Sequence, residues 1–149
     1  MKIPGIVIAA SASGSGKTAV TMAMMKAFKN TGKKVRACKC GPDYIDPMFH
    51  SMILGTKSRN LDYIDPMFHR EVLGIDSENL DLYFCDRERL KERFMHHAEG
   101  AELVVTEGVM GYYDGISLDS DEASTYDVAR TLGLPVILFS FIVLTVIFG

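Results

Sequence analysis

The sequence predicts an α/β fold, a mainly parallel sheet flanked by helices, and three observations carry that prediction. Short apolar runs rich in β-branched residues occur at residues 3–10, 103–106 and from Pro135 onward, and Val35 to Lys39 reads as a further strand. Between them the apolar residues follow helical spacing, and strand alternating with helix is the pattern of parallel sheets closed by crossover helices. Directly after the first run comes a Ser/Gly-rich turn that opens into a helical pattern, an arrangement suited to anions because helix amino-terminal amides face outward.

The first helix runs through Val20, Ala23, Met24, Ala27 and Phe28 and stops at Gly32, with Lys26, Lys29 and Lys33 near the negative end of its dipole. The crossover makes the second strand, 35–39, parallel to the first. Residues 41–82 read as loop with short helical pieces, broken by Pro42, Pro47 and Pro66. Asp86 caps a helix to about residue 98, closed by Gly100, with Leu90 and Phe94 on one face. A third strand over 103–106, a short helix over 124–132 and a fourth strand from Pro135 complete the pattern. The run 136–148 is apolar except for Ser140 and Thr145. As a helix it would span roughly 20 Å, short of the ~30 Å hydrocarbon core of a membrane. As one strand it would reach about 43 Å, so it is expected to begin as a buried central strand and then bend, or to continue as sequence the domain does not need. An uncharged, β-branched tail of this kind is also an aggregation hazard.

A chain of 149 residues that is 48% hydrophobic fits one domain with one sizeable core. Its net charge of -3, without a basic cluster, disfavours nucleic acid and gives no reason to expect an anionic membrane surface as partner. Cys38, Cys40 and Cys85 lack zinc spacing, and no secretory n-region and h-region precede the first strand, which points to a reducing cytoplasm. His96 and His97 are adjacent, and helix neighbours diverge by about a quarter turn, which disfavours a shared metal.

The octapeptide Asp-Tyr-Ile-Asp-Pro-Met-Phe-His occurs at residue 43 and again at residue 62, and each copy continues into a similar Leu-Gly, Ser, Asn-Leu pattern. Residues 43–61 and 62–80 are therefore a tandem duplication. Doubling a flexible loop costs only ~0.6 kcal/mol in closure entropy, so the fold can carry it.

Ser13-Gly14-Ser15-Gly16-Lys17-Thr18 is the strongest local signal. Its glycines let backbone amides turn toward phosphate oxygens, Lys17 supplies a point charge for the β and γ phosphates, and Thr18 can ligate magnesium, so ATP and Mg2+ are the expected cofactors. Ser11 stands where the general phosphate-loop pattern has glycine. Glu107 closes the third strand, and in a parallel sheet it should emerge beside this loop as a magnesium ligand, or else cap the strand. Gly108 and Gly111 permit close backbone approach to a ligand, or serve a tight turn. Lys39, ending the second strand, could neutralise charge on a transferred phosphoryl group or simply snorkel. Asp43 and Asp46 could ligate magnesium, meet a cationic substrate edge, or cap Asx turns.

Together with these, Lys39-Cys40-Gly41-Pro42-Asp43-Tyr44-Ile45-Asp46-Pro47-Met48-Phe49-His50, Ser58-Arg59-Asn60-Leu61-Asp62, Glu107-Gly108-Val109-Met110-Gly111-Tyr112-Tyr113-Asp114-Gly115 and Asp127-Val128-Ala129-Arg130 resemble the amino-terminal part of the cobyrinate a,c-diamide synthase family. The resemblance covers nearly the whole chain to about residue 138. It implies a phosphate-loop NTPase fold similar to dethiobiotin synthetase. It also implies a ligase that uses ATP and glutamine to amidate the a and c carboxylates of a corrin precursor in cobalamin biosynthesis. Relatives act on hydrogenobyrinate or nickel sirohydrochlorin. Carried over, Ser13, Gly14, Ser15, Gly16, Lys17 and Thr18 hold the nucleotide, Thr18 and Glu107 the metal, Lys39 the transferred phosphate, and Asp43 with Asp46 the reacting end of the substrate. Tyr44, Tyr113 and Asp114 line the site, and a homodimer is compatible with the resemblance.

Family members are roughly three times longer and end in a glutaminase domain, so the chain reads as a truncated synthetase domain. None of Cys38, Cys40 and Cys85 sits in a G-x-C-x-G elbow, so ammonia is expected from a missing or separate glutaminase. One repeat unit is also extra. The first copy is the expected active one, because its distance from the second strand is unchanged. Competing expectations are a carboxylate-activating ATPase of the dethiobiotin synthetase type and a catalytically inactive ATP-binding fragment.

Overall fold

The computed structural model of the chain describes residues 4–41, 73–117 and 119–140. Their elements are β1 (Gly5–Ala10), α1 (Lys17–Asn30), β2 (Val35–Cys40), β3 (Ser77–Leu80), α2 (Arg87–His97), β4 (Leu103–Glu107), α3 (Thr125–Leu132) and β5 (Val136–Phe139). The five strands form one sheet in the order β3-β2-β4-β1-β5, and every pairing is parallel.

Strand alternation divides the core between the two faces of the sheet. Ile8, Ala37 and Val105 pack with Met25 of α1 on one side, while Cys38, Val104 and Leu80 pack with Leu90 and Phe94 of α2 and Val128 of α3 on the other. Adjacent residues Val104 and Val105 thus serve opposite layers, as the period of two requires. Each large apolar side chain so buried contributes about 1.5–3 kcal/mol. Asp86 caps α2 by accepting from the Arg89 amide at 2.9 Å, and Ser124 caps α3 by accepting from the Asp127 amide at 3.2 Å. Gly32 and Gly133 take positive φ just beyond α1 and α3, where chains leave helices.

Two expectations fail. β3 lies inside the stretch read as loop, because Ser77, Glu78, Asn79 and Leu80 have no strand-like alternation and little β propensity; their strand exists through pairing with β2, Lys39 opposite Asn79. And β5 is an edge strand rather than a buried central one, with Ile137 43% and Leu138 49% exposed among the described residues. Its apolar sequence alone does not distinguish a centre from an edge.

β3 is the tail of the second repeat, and the same Ser-x-Asn-Leu frame occurs at Ser58, Asn60 and Leu61 in the first, outside the described residues. Three positions explain the choice. Ile75 is buried against Met25 and Val105, Asp76 pairs with Arg36 at 2.9 Å, and Glu78 pairs with Arg93. The first repeat offers Thr56, Lys57 and Arg59 instead: a hydroxyl for a core methyl and two like-charge contacts. The core position is worth about 1–2 kcal/mol and each exposed pair under ~1 kcal/mol. Both octapeptides consequently fall on the β2–β3 connection. Replacing Ile75→Thr, Asp76→Lys and Glu78→Arg together is expected to lower unfolding stability in urea by about 2 kcal/mol. The reciprocal Thr56→Ile, Lys57→Asp and Arg59→Glu should move it by less than about 0.5 kcal/mol. Equal effects from the two would contradict this assignment.

Candidate active site

Because every strand is parallel, β1, β2 and β4 end on one edge at Ala10, Cys40 and Glu107. The loop after β1 turns through Gly14 and Gly16, at φ 71° and 81°, conformations that only glycine adopts cheaply. Gly16 is the N-cap of α1 and provides no side-chain cap, and the first turn carries no acidic residue. The first amides of α1 and the positive end of its dipole are thus left for an anion.

Lys17 is only 7% exposed and folds back over the loop, its Nζ donating to Ala12 O at 2.9 Å and to Met110 O at 2.5 Å. Thr18 Oγ1 donates to Glu107 Oε1 at 2.6 Å, and Lys39 Nζ lies 3.3 Å from that same oxygen. Glu107 is 1% exposed. Lys39 thus pairs with the buried Glu107 carboxylate, and Lys17 lies in the combined field of Glu107, Lys39 and Asp114 at the helix amino terminus. Burial holds the Lys17 ammonium below its ordinary pKa; Glu107 pulls the other way, Lys39 depresses it further and Asp114 raises it.

The loop after β4 is tied to β1 by the Gly108 amide on Ile8 O at 2.8 Å and the Tyr112 amide on Ala10 O at 2.9 Å. A Cβ on Gly111 would stand 2.7 Å from Asp114 Oδ2 and 2.8 Å from Ser11 O, and one on Gly108 would stand 2.7 Å from Thr125 Cγ2. The close approach these glycines permit is thus to the chain's own atoms, which favours the tight-turn reading. Asp114 accepts from the Gly111 amide at 2.7 Å, and Tyr113 is 61% exposed over Tyr112 and Tyr126. Ser15 Oγ donates to Ala12 O at 2.6 Å, and Ser13 is exposed. The structure thereby gathers Lys17, Thr18, Lys39 and Glu107, with Asp114 beside them. Asp43, Tyr44 and Asp46 lie outside the described residues.

The carbonyls that hold Lys17 had no sequence signal, since any residue supplies one. Arg87 was also missed. Its Nη2 reaches Asp127 Oδ1 and Oδ2 at 3.0 and 2.9 Å, and the Ser124-x-x-Asp127 spacing of a capping box was the available hint.

Residues 6–144 match the model of the CobQ/CobB/MinD/ParA nucleotide binding domain. The chain belongs to that family. It is 41% identical over 138 residues to the cobyrinate a,c-diamide synthase of Thermoplasma volcanium, covering 93% of this chain and 26% of that protein. It is 42% identical over 133 residues to the enzyme of the same name from Gloeobacter violaceus (89% and 25%), and 40% identical over 136 residues to the hydrogenobyrinate a,c-diamide synthase of Streptomyces coelicolor (91% and 24%). The chain spans about a quarter of the length of these curated relatives. For a nucleotide-binding domain, the phosphate-loop edge is the natural site. A groove of about 800 Å³ at the opposite strand ends, between Phe94 and Leu134, is lined mainly by apolar side chains, with Lys91 and Thr131 the polar side chains among the described residues. Cys38 and Cys40 are buried, with burial pushing the Cys40 thiol up to about 12, so neither can serve as a thiolate nucleophile.

A polyphosphate beside Lys17 stabilises its charged form and raises the depressed pKa. Above that depressed value the free lysine is neutral, so binding must take up a proton and affinity must fall as pH rises. Calorimetry of MgATP binding in buffers of different ionisation enthalpy should show proton uptake that grows as pH rises. A binding enthalpy independent of buffer at alkaline pH would contradict it.

Proposed function

We propose that this chain is the synthetase portion of a cobyrinate a,c-diamide synthase, an ATP-dependent ligase that converts carboxylates of a corrin precursor to amides. The observation that carries this reading is the convergence of Lys17, Thr18, Lys39 and Glu107 on one sheet edge, in a nucleotide-binding domain with about 40% identity to enzymes of that name.

In the proposed reaction a substrate carboxylate oxygen attacks the γ-phosphorus of ATP, the bond to the β-phosphate oxygen breaks and ADP leaves. Ammonia then attacks the acyl carbon, inorganic phosphate departs and a proton is lost. Such chemistry depends on positioning and on charge stabilisation. The amides of residues 13–18 cradle the phosphates, Lys17 exchanges its two carbonyl partners for phosphate oxygens, and Lys39 faces the transferred group. Thr18 and Glu107 supply hard oxygen donors 2.6 Å apart, a set that suits Mg2+, which takes one or two protein ligands beside phosphates and water. When bound, the ion neutralises charge on the β and γ phosphates. Asp43, Asp46 and Tyr44, close after Lys39 in the chain, are assigned to the reacting end of the substrate, with Tyr113 and Asp114 at its flank. Ammonia comes from outside these 149 residues. Three unpaired thiols suit a reducing cytoplasm. Among the described residues no helix is long and apolar enough to cross a membrane.

The test is mass spectrometry of cobyrinate, and in parallel hydrogenobyrinate, incubated with the chain, MgATP and ammonium. Mono- and diamide are the expected products, and Lys17→Met is expected to reduce them at least ~100-fold. Asp43→Ala should abolish more turnover than Asp62→Ala. ATP binding without any amide would sink the ligase assignment for this chain.

A further inference from the structure

We infer that Asp127 is a positioning residue for the phosphate-binding edge, acting through the amino terminus of α3 on the loop that holds Lys17. The inference rests on the nucleotide-binding reading for its effect on ligand affinity, and on geometry alone for its local effect.

Asp127 is 6% exposed and takes part in four hydrogen bonds at once. Arg87, the first residue of α2, donates to both carboxylate oxygens at 3.0 and 2.9 Å. The Ala123 amide donates to Asp127 Oδ2 at 3.2 Å, and Asp127's own amide donates to the Ser124 hydroxyl at 3.2 Å. The carboxylate therefore locks the turn entering α3 and ties it to the start of α2.

From that turn two contacts reach the loop after β4. Thr125 Oγ1 donates to Val109 O at 3.2 Å, and the Tyr126 amide donates to Tyr112 O at 3.0 Å. They bracket Met110, whose carbonyl accepts from Lys17 Nζ at 2.5 Å. Among the described residues, Met110 and Ala123 are the two non-glycine residues with positive φ, 50° and 58°. Such conformations persist only where surrounding contacts over-determine them, and they gather at functional sites. Here one lies at each end of the same path: Ala123 under the Asp127 carboxylate, Met110 over the Lys17 ammonium. A carboxylate serving only as a helix cap would leave the second strained residue and its bracket unexplained.

Hydrogen exchange and MgATP calorimetry on the 149-residue chain test this. Asp127→Ala should strip protection from the Tyr126 and Tyr112 amides, leave the interstrand Val104 amide protected, and weaken MgATP about tenfold, the value of one charge-assisted contact. Asp127→Asn keeps an acceptor for Ala123 and should recover most of the affinity. Thr125→Val, cutting the bracket from its other side, should weaken MgATP in the same direction. Should Asp127→Ala fail to fold, Asp127→Asn and Thr125→Val decide: wild-type affinity in both overturns the inference. Loss of Tyr126 protection with wild-type affinity in Asp127→Ala also overturns it, as does uniform loss at Tyr126 and Val104, which would mark a plain cap. A wild-type chain that binds no MgATP would refute the nucleotide reading itself, and selective loss at Tyr126 would still support the path.

Discussion

Glu107 sits at the end of β4, the central strand of the sheet, with 1% of its surface exposed. Taking a carboxylate out of water costs several kcal/mol unless charge and hydrogen bonds replace the water. One of its oxygens meets both the Lys39 ammonium from β2 and the Thr18 hydroxyl from α1. Removing one partner of such a buried pair typically costs about 3–5 kcal/mol, against under ~1 kcal/mol for an exposed ion pair. The requirement fixes the ends of β2 and β4 and the first turn of α1 relative to one another.

The remaining architecture follows from serving that edge. Parallel pairing brings the ends of three strands together, and crossover helices on both faces keep the apolar strands dry. The same burial depresses the Lys17 pKa and leaves Lys17 leaning on backbone carbonyls that a phosphate can replace. At the far ends of the strands lies an apolar groove.

Much of this was legible beforehand. The phosphate loop, α1, β2, β4 and the Asp86 cap were visible because each has a local cause: glycines at a turn, apolar period, a capping side chain. β3 was not, because its four residues form a strand only through β2, and its choice over the first repeat depends on Arg36, Arg93 and a core slot for Ile75. The edge position of β5 and the carbonyl partners of Lys17 were hidden for the same reason. Sheet order and backbone acceptors are properties of the assembled fold, not of any window of residues.

Paramagnetic broadening by Mn2+ in the presence of ATP tests the central role of Glu107 most directly. Amide and side-chain resonances of Thr18 and Glu107 should vanish first, with those of the apolar groove at Phe94 and Leu134 untouched, and Glu107→Gln should disperse the effect. Broadening centred away from β4's carboxyl end, or unchanged in Glu107→Gln, would contradict the account.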